Sequence, residues 1–164
     1  MSNTVQRVHR KPIEFSTVDP ESPEAISAMT TYFGELDQRF PEGFDPGDTL
    51  TADAHQFRDP LGRFIIGRIN ESTASCGGVH LLGETVAEIK RMWVADDLRG
   101  QGVGSETLQH LELVAGDLGA TEVRLDTNSV LTTAITLYTR RGYLEIEAYN
   151  DNPYARRWFA KNLG

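Results

Sequence analysis

Cysteine and long apolar runs are scarce in this sequence of 164 residues, and each scarcity excludes a class of protein. The single cysteine, Cys76, leaves no disulfide framework and no cysteine cluster for a metal ion. No apolar run approaches the roughly 18 residues that a membrane-spanning helix needs. The N-terminal stretch MSNTVQRVHRKP is too polar for a signal peptide. We therefore expect a soluble, cytoplasmic protein with no membrane partner.

Positive charge is also in short supply, since the net charge is −8. A broad cationic surface that could displace counterions from phosphates is therefore missing, and no nucleic-acid partner is expected. Residues 13–62 carry eleven acids and two arginines, which fits a solvated face or the border of a site for a cationic amine. His55, His80 and His110 lack the spacing of metal ligands, so no metal site is predicted.

The length suits one domain with a hydrophobic core of its own. Residues 1–12, which contain no acid, have the composition of a flexible arm, and residues 13–164 are expected to form the domain. Ser22 and Pro23 are typical of the N-cap and the first residue of a helix. Gly119 and Gly142 follow helical stripes of apolar residues and are expected to end two further helices.

Apolar stretches bounded by turn residues predict five strands. They are residues 62–69, 76–82, 85–94, 122–127 and 155–163. With the three helices, the predicted order is αβββαβαβ. The strand–helix–strand unit in its middle places two parallel strands side by side, so we expect an α/β fold with a mixed sheet.

Three glycines alternate at the start of the second predicted helix, after the strand that ends near Val94. A strand that turns into a helix through glycines exposes several backbone N–H groups at the positive end of the helix dipole. Such a turn binds phosphate oxygens, because no Cβ atom holds the anion away. Arg99, in front of the glycines, adds a charged planar group that suits phosphate.

Three phosphate-binding motifs can be compared with this stretch. The nucleotide P-loop requires a lysine that is absent here. The dinucleotide motif G-x-G-x-x-G meets Ser105 where its third glycine belongs, although Asp126 lies where a ribose-binding acid would be. That fold also needs more strands than the 60 residues after Gly104 can supply. The motif R/Q-x-x-G-x-G/A is satisfied at every defined position of residues 99–104.

With AEIKRMWV before this motif and AITLYTRRGY after it, the sequence resembles the GNAT (Gcn5-related) N-acetyltransferase family. The resemblance covers roughly residues 14–164 and is strongest over 88–143. It implies a mixed sheet that is split by a central bulge, with acetyl-CoA in the resulting cleft. It also implies a set of residues that line the cofactor: Met92, Trp93, Val94, Arg99, Gly100, Gln101, Gly102, Val103, Gly104 and Ser105.

The resemblance fails at one cofactor contact. The family often has an asparagine seven residues before its catalytic tyrosine, and this chain has Leu131 there. Asn128, one turn earlier, is a weak candidate to replace it.

Amine acetylation needs a proton acceptor for the amine and a proton donor for the leaving thiolate. By resemblance, Tyr138 is the expected donor. The acceptor could be Glu88, which lies eleven residues before Arg99, or Asp126, which lies twelve residues before Tyr138, or water. In a regular strand Glu88 would share a face with Met92 and Val94, and a bulge would change that. Glu88 could also serve only to pair with a neighbouring cation.

Substrate choice in this family lies in the first helix, the loop after it and the C-terminal strands. The corresponding acids Glu35, Asp37, Glu42 and Asp45 could attract an ammonium group, and Phe40 and Phe44 could cover an apolar part. The C-terminal residues Tyr149, Asn150, Asp151 and Tyr154 could face them. We therefore expect an enzyme that acetylates a small cationic amine, a peptide N-terminus or a lysine.

Two other functions stay open: a non-catalytic acyl-CoA sensor and a Rossmann-type nucleotide-binding protein. The resemblance also allows a homodimer.

Overall fold

A computed structural model of the protein describes residues 10–164, which contain one seven-stranded mixed sheet. The strands lie in the order β1-β2-β3-β4-β5-β7-β6. They are β1 Glu14–Val18, β2 Gly62–Ile69, β3 Ser72–Leu81, β4 Val86–Val94, β5 Glu122–Thr127, β6 Leu144–Ile146 and β7 Arg157–Asn162. The pair β4 and β5 is parallel and the other pairs are antiparallel, which confirms the predicted mixed sheet and its strand–helix–strand unit.

Four α-helices flank the sheet within the described residues. They are α1 Pro23–Arg39, α2 Thr49–Ala52, α3 Val103–Asp117 and α4 Thr132–Arg140, and two 3₁₀ turns lie at Ala54–Phe57 and Asp96–Leu98. The predicted N-cap is confirmed, because the Ser22 hydroxyl accepts a hydrogen bond from the Ala25 amide at 3.3 Å. Gly119 and Gly142 follow the ends of α3 and α4 with φ of 102° and 91°, as expected of helix-ending glycines. None of the helices in residues 10–164 is long and apolar enough to cross a bilayer.

The predicted order αβββαβαβ was wrong because it omitted two edge strands and the four-residue helix α2. β1 has five residues at one edge of the sheet, and β6 has three at the other. Leu144 in β6 is 75% exposed, so this strand carries no pattern of buried and exposed residues that a sequence could show. Of the predicted arm, residues 1–9 lie outside the described residues, while Arg10 donates from Nε to the Gln101 carbonyl at 2.9 Å.

Each face of the sheet carries its own hydrophobic cluster. On one face, β-strand residues such as Val79, Ile89 and Leu125 pack against Leu108 and Leu111 of α3. On the other face, a second cluster gathers the apolar side of α1, the 3₁₀ turn at Ala54–Phe57 and inward residues of the strands; its members include Met29, Phe33, Phe57, Phe64, Ile66 and Trp93.

A bulge in β4 decides which of these faces each of its side chains joins. Arg91 has φ of +58°, and the pairing of β3 with β4 shifts register between Cys76 and Gly78. Met92 therefore packs with the α3 cluster, whereas Trp93 lies in the α1 cluster. Glu88 bonds to His80, whose ring contacts Phe57, so Glu88 shares the α1 face. The bulge thus separates Glu88 from Met92, which a regular strand would have placed together.

β4 and β5 are paired over only a short stretch, which opens the sheet. Their register runs from Val86 opposite Glu122 to Glu88 opposite Arg124. Beyond that point β5 continues to Thr127 beside β7, and β4 continues to Val94 beside β3. The two strands therefore no longer share a ladder at their C-terminal ends, where ligands bind in open sheets of this kind.

Candidate functional site

A cleft of about 820 Å³ lies where β4 and β5 have separated. Its walls come from α1 and the following loop, the second half of β4, the turn before α3, the end of β5, α4 and residues 152–155. Most of the residues predicted from the sequence line it: Glu35, Phe40, Phe44, Met92, Trp93, Val94, Arg99, Gly100, Gly104, Asp126, Asn128 and Tyr138. Glu88 and Tyr149 instead line a smaller adjoining pocket of about 520 Å³, which shares Lys90 and Asn152 with the cleft.

The glycine loop, residues 99–105, carries a row of backbone donors at the start of α3. Gly100 and Gly102 both have φ of 80°, a conformation that side chains with a Cβ rarely adopt. Gly102 is the N-cap of α3 and has no side chain to cap it. Among residues 10–164, the amides of Gly100–Ser105 donate to no carbonyl or side chain, and the first bonded amide of this turn is that of Glu106. These residues therefore fit an anionic diphosphate group.

Arg99 ties the glycine loop to α1. Its Nη2 donates to Glu35 Oε2 at 2.7 Å and its Nη1 to Asp96 Oδ1 at 2.9 Å. Glu35 Oε2 also accepts from Trp93 Nε1 at 3.1 Å. The charge of Arg99 is thus balanced by carboxylates, and Glu35, predicted to meet the substrate, is held by an arginine and an indole.

The other loop residues face elsewhere. Gln101 donates from Nε2 to the Asp97 carbonyl at 3.3 Å, and Val103 is 1% exposed. Along with Gly102 and Ser105, these two residues do not line the cleft. Their predicted contacts with a cofactor stay predictions, and their backbone amides, which have no acceptor among the described residues, are the groups that could make them.

The two carboxylates predicted as alternative bases are brought together by Asn150. Its Nδ2 donates to Asp126 Oδ2 at 2.7 Å and to Glu88 Oε2 at 3.3 Å. Its Oδ1 accepts from Trp158 Nε1 at 3.0 Å, which fixes the amide with its N–H groups toward the carboxylates. The sequence suggested Asn150 only as a residue that faces the loop after the first helix, because its contact with the carboxylates depends on how the segment before β7 crosses the ends of β4 and β5.

Glu88 is enclosed and fully engaged by donors. It is 3% exposed, its Oε1 lies 2.8 Å from His80 Nε2, and its Oε2 accepts from the Tyr149 hydroxyl at 2.6 Å. Burial raises the pKa of this carboxyl, but the bonds from His80 and Tyr149 and the charge of Lys90 more than offset burial. The pKa of Glu88 therefore lies below its ordinary value.

The pKa of Asp126 is shifted in the opposite direction to that of Glu88. Burial raises its pKa, and the negative charge of Glu88 acts in the same direction. The amides of Asn150 and Asn152, the second at 3.2 Å from Oδ1, offset this effect only in part. Asp126 thus has a pKa above its ordinary value and lines the cleft.

Two tyrosines, Tyr138 and Tyr32, line the cleft. Tyr138 is 7% exposed and its ring packs on Tyr143 and Phe159, with centroids at 5.9 and 6.1 Å. Within the described residues its hydroxyl has no hydrogen-bond partner, and burial raises its pKa. Tyr32 of α1 also lines the cleft, and burial raises its pKa as well. The sequence hinted at Tyr32 only through its place beside the apolar stripe of α1.

Arg91, at the bulge, is a buried cation that the sequence did not single out. Its Nη2 donates to both oxygens of Asp53, at 2.7 and 2.8 Å, and its guanidinium lies 5.0 Å from the centroid of the Phe57 ring. Asp53 and Arg91 both line the cleft. No local pattern marks this pair, because a positive φ at a residue other than glycine cannot be read from sequence.

Asn128 and Leu131 stand where the family pattern was incomplete. Asn128 donates from Nδ2 to the Tyr154 carbonyl at 2.8 Å, and its Oδ1 accepts from the Val130 amide at 3.1 Å. Both ends of this side chain are therefore used within the protein. Leu131 is the N-cap of α4 and packs against the α1 cluster.

Comparisons with known proteins agree with this geometry. The model of the Acetyltransferase (GNAT) family matches residues 29–143. A protein named IAA acetyltransferase from Azospirillum brasilense is 27% identical over 130 residues, which cover 79% of this chain and 84% of that protein. An acetyltransferase of the GNAT family from Staphylococcus aureus Mu50 superposes with a TM-score of 0.79 at 15% identity, covering 93% of this chain and 100% of the other. A GNAT family acetyltransferase from Elizabethkingia anophelis, solved with acetyl-CoA bound, superposes with a TM-score of 0.65 at 17% identity, covering 92% of this chain and 98% of the other.

The opposite pKa directions of Glu88 and Asp126 predict that neutralising them changes stability in opposite ways with pH. Ionised Glu88 stabilises the fold above the unfolded pKa of about 4.3, and this contribution is lost as the pH falls through its lower folded value. Glu88→Gln should therefore cost about 1–3 kcal/mol at neutral pH, and the cost should shrink in acid. The contribution of Asp126 is complete below about pH 3.9 and is lost as the pH rises through its higher folded value. Asp126→Asn should thus become more stable relative to the parent protein as the pH rises.

Melting temperatures of the parent protein and both variants, measured from about pH 3 to about pH 7, check this contrast. The melting temperature of the variant minus that of the parent protein should fall as the pH rises for Glu88→Gln, and it should increase as the pH rises for Asp126→Asn. Slopes of the same sign would contradict the electrostatic description of the two carboxyls.

Proposed function

The chain belongs to the GNAT acetyltransferase family, and from that premise we propose that it transfers an acetyl group from acetyl-CoA to a primary amine held in the cleft. One observation carries the proposal. The glycine loop, whose amides at Gly100–Ser105 have no acceptor among the described residues, enters the wall of the cleft at Gly100 and Gly104, and the same cleft is lined by Asp126 and Tyr138. An anion site, a proton acceptor and a proton donor are the parts that amine acetylation requires.

The glycine loop would hold the diphosphate of acetyl-CoA through its backbone amides and the positive end of the α3 dipole. Met92 and Val94, which line the cleft on β4, would border its pantetheine arm. When bound, acetyl-CoA supplies an acetyl group activated as a thioester. Arg99 supports the loop by its bonds to Glu35 and Asp96, so the amides carry most of the recognition in this proposal.

Asp126 is the proton acceptor that we favour, although Glu88 has the family spacing. Asp126 lines the cleft and accepts hydrogen bonds only from the neutral amides of Asn150 and Asn152. A carboxylate with a raised pKa is a stronger proton acceptor, and Glu88 contributes to that raised value by its charge. Glu88 itself is occupied by His80 and Tyr149 and lies in the adjoining pocket.

Tyr138 is the proton donor in this proposal. Its hydroxyl faces the cleft without a partner among residues 10–164, and its raised pKa keeps the proton on the oxygen at neutral pH. The amine nitrogen bonds to the acetyl carbon as the carbon–sulfur bond breaks. Asp126 takes one proton from the amine, directly or through water, and Tyr138 gives one to the sulfur.

Binding of CoA by the glycine loop is the first consequence to test. Gly102→Val places a β-branched side chain at φ of 80°. It should weaken CoA binding at least tenfold, which is about 1.4 kcal/mol, as measured by calorimetry. Gly116→Ala is the matched control, because it changes a glycine of α3 whose added Cβ would meet nothing within 4 Å. A thermal shift with NAD and none with CoA, or full affinity in a folded Gly102→Val protein, would contradict the proposal.

The catalytic roles predict different kinetic effects for three variants. Asp126→Asn should lower kcat/KM by about 10²–10⁴-fold and remove the acid limb of its pH profile. Glu88→Gln should keep most of the activity and move that limb to lower pH, because the charge that raises the pKa of Asp126 is gone. Tyr138→Phe should lower kcat while the affinity for acetyl-CoA stays unchanged.

Thiol release measured across pH, with folding checked by circular dichroism, decides between the candidates. Loss of activity in Glu88→Gln with normal activity in Asp126→Asn would make Glu88 the base. An unaltered profile in both variants would assign the role to water or another group.

A further inference from the structure

Four aromatic rings form a continuous surface in one part of the cleft. Phe33 and Phe40 come from α1 and its end, Phe44 from the loop that follows, and Tyr154 from the segment before β7, and all four line the cleft. Phe44 lies in the centre of this aromatic wall, with its ring centroid 5.2 Å from Phe33, 5.9 Å from Phe40 and 4.6 Å from Tyr154. The wall offers an organic ligand both stacking and edge contacts.

Hydrogen bonds hold the aromatic wall in place. The Tyr154 hydroxyl accepts from the Asp45 amide at 3.1 Å and donates to the Asp45 carbonyl at 3.3 Å. The carboxylate of Asp37 accepts from the Phe44 amide at 2.8 Å. The loop after α1 and the segment before β7 are therefore joined across the cleft. A surface fixed in this way loses little conformational entropy when a flat ring packs on it.

One carboxylate inside the cleft has no ion-pair partner among the described residues. Four acids and four cations line the cleft: Glu35, Asp45, Asp53 and Asp126, with Arg39, Lys90, Arg91 and Arg99. Glu35 is paired with Arg99 and Asp53 with Arg91, at 2.7 Å in both cases. Asp45 is exposed, whereas Asp126 is half-buried, accepts hydrogen bonds from two neutral amides and feels the charge of Lys90 without forming an ion pair with it. A polyamine would find no second interior carboxylate without a cationic partner among these lining residues.

One side chain links that carboxylate to the segment that carries Tyr154. Asn152 donates from Nδ2 to Asp126 Oδ1 at 3.2 Å, and its own Oδ1 accepts from the Tyr154 backbone amide at 3.0 Å. Asp126 and the backbone of Tyr154 are thus bridged by a single asparagine side chain. An amine that reaches Asp126 while its body packs on the aromatic wall needs only a short chain between the two.

We infer that the acceptor is a small primary monoamine with an aromatic ring on a short aliphatic chain, its ring on the wall of Phe33, Phe40, Phe44 and Tyr154 and its nitrogen at Asp126. The inference rests on the proposed function, since it names the substrate class of the same site. The sequence suggested that the acids of this region attract cations. In this inference they instead position aromatic residues: the carboxylate of Asp37 positions Phe44, and the backbone of Asp45 positions Tyr154.

The inference is tested by thiol release from acetyl-CoA with four amines: 2-phenylethylamine, n-propylamine, spermidine and a lysine-containing peptide. We expect kcat/KM for 2-phenylethylamine to exceed each of the others by at least tenfold. Phe44→Leu keeps the apolar volume but removes the ring, and should raise KM for 2-phenylethylamine at least tenfold while KM for acetyl-CoA is unchanged. Phe15→Leu is the control, because Phe15 stacks on His110, with ring centroids 4.4 Å apart, and does not line the cleft.

The outcomes separate the inference from the proposed function. A preference for spermidine, the peptide or propylamine overturns the inference and leaves acetyl transfer standing. An equal rise in KM for both Phe→Leu variants also overturns it, because the effect would then be one of general packing. Binding of CoA by calorimetry without thiol release from any amine overturns the proposed function itself.

Discussion

The unpaired backbone amides at the start of α3 are the constraint on which the proposed function depends. The first amides of any α-helix have no partner within the helix, and they must find an acceptor in a side chain, water or a ligand. Here Gly102 stands at the N-cap with no side chain to offer, and the amides of Gly100–Ser105 stay without an acceptor in the described residues. Gly100 and Gly102 both adopt a positive φ, which a residue with a Cβ atom would rarely adopt. An anion such as a diphosphate satisfies several of them at once.

The sheet forms a cleft next to these unpaired amides. β4 and β5 separate after Glu88, and the bulge at Arg91 sends Met92 and Trp93 to opposite faces. The opening lies beside the glycine loop, so an anion bound there has the cleft next to it. Two carboxyls with opposed pKa directions border the opening, and Asn150 holds them a few ångströms apart. The negative charge of Glu88 raises the pKa of Asp126 and so makes Asp126 a stronger base than it would be without this neighbour.

Local features of the fold and site could be predicted from the sequence, and features that depend on tertiary contacts could not. Ser22 and Gly119 each act within a few residues, so their spacing reveals their role at helix ends. The R/Q-x-x-G-x-G/A motif is equally local, and it marks the turn whose amides have no acceptor among the described residues. The bulge at Arg91 and the edge strand β6 leave no such pattern. The family resemblance suggested that Tyr154 faces the loop after α1, but not its bond with Asp45, which joins residues 109 positions apart. The bridge from Asp126 to Asn150 spans 24 positions and depends on tertiary contacts that no local pattern shows.

The most direct test of the central claim is made on the amides themselves. Amide ¹H–¹⁵N chemical shifts of Gly100–Ser105 can be followed by NMR while CoA is added, and again with pantetheine, which lacks the diphosphate. The account predicts large downfield shifts of several of these amide protons with CoA, as they gain charged acceptors, and small shifts with pantetheine. Equal shifts with the two ligands, or unmoved glycine-loop amides in a CoA-saturated protein, would contradict it.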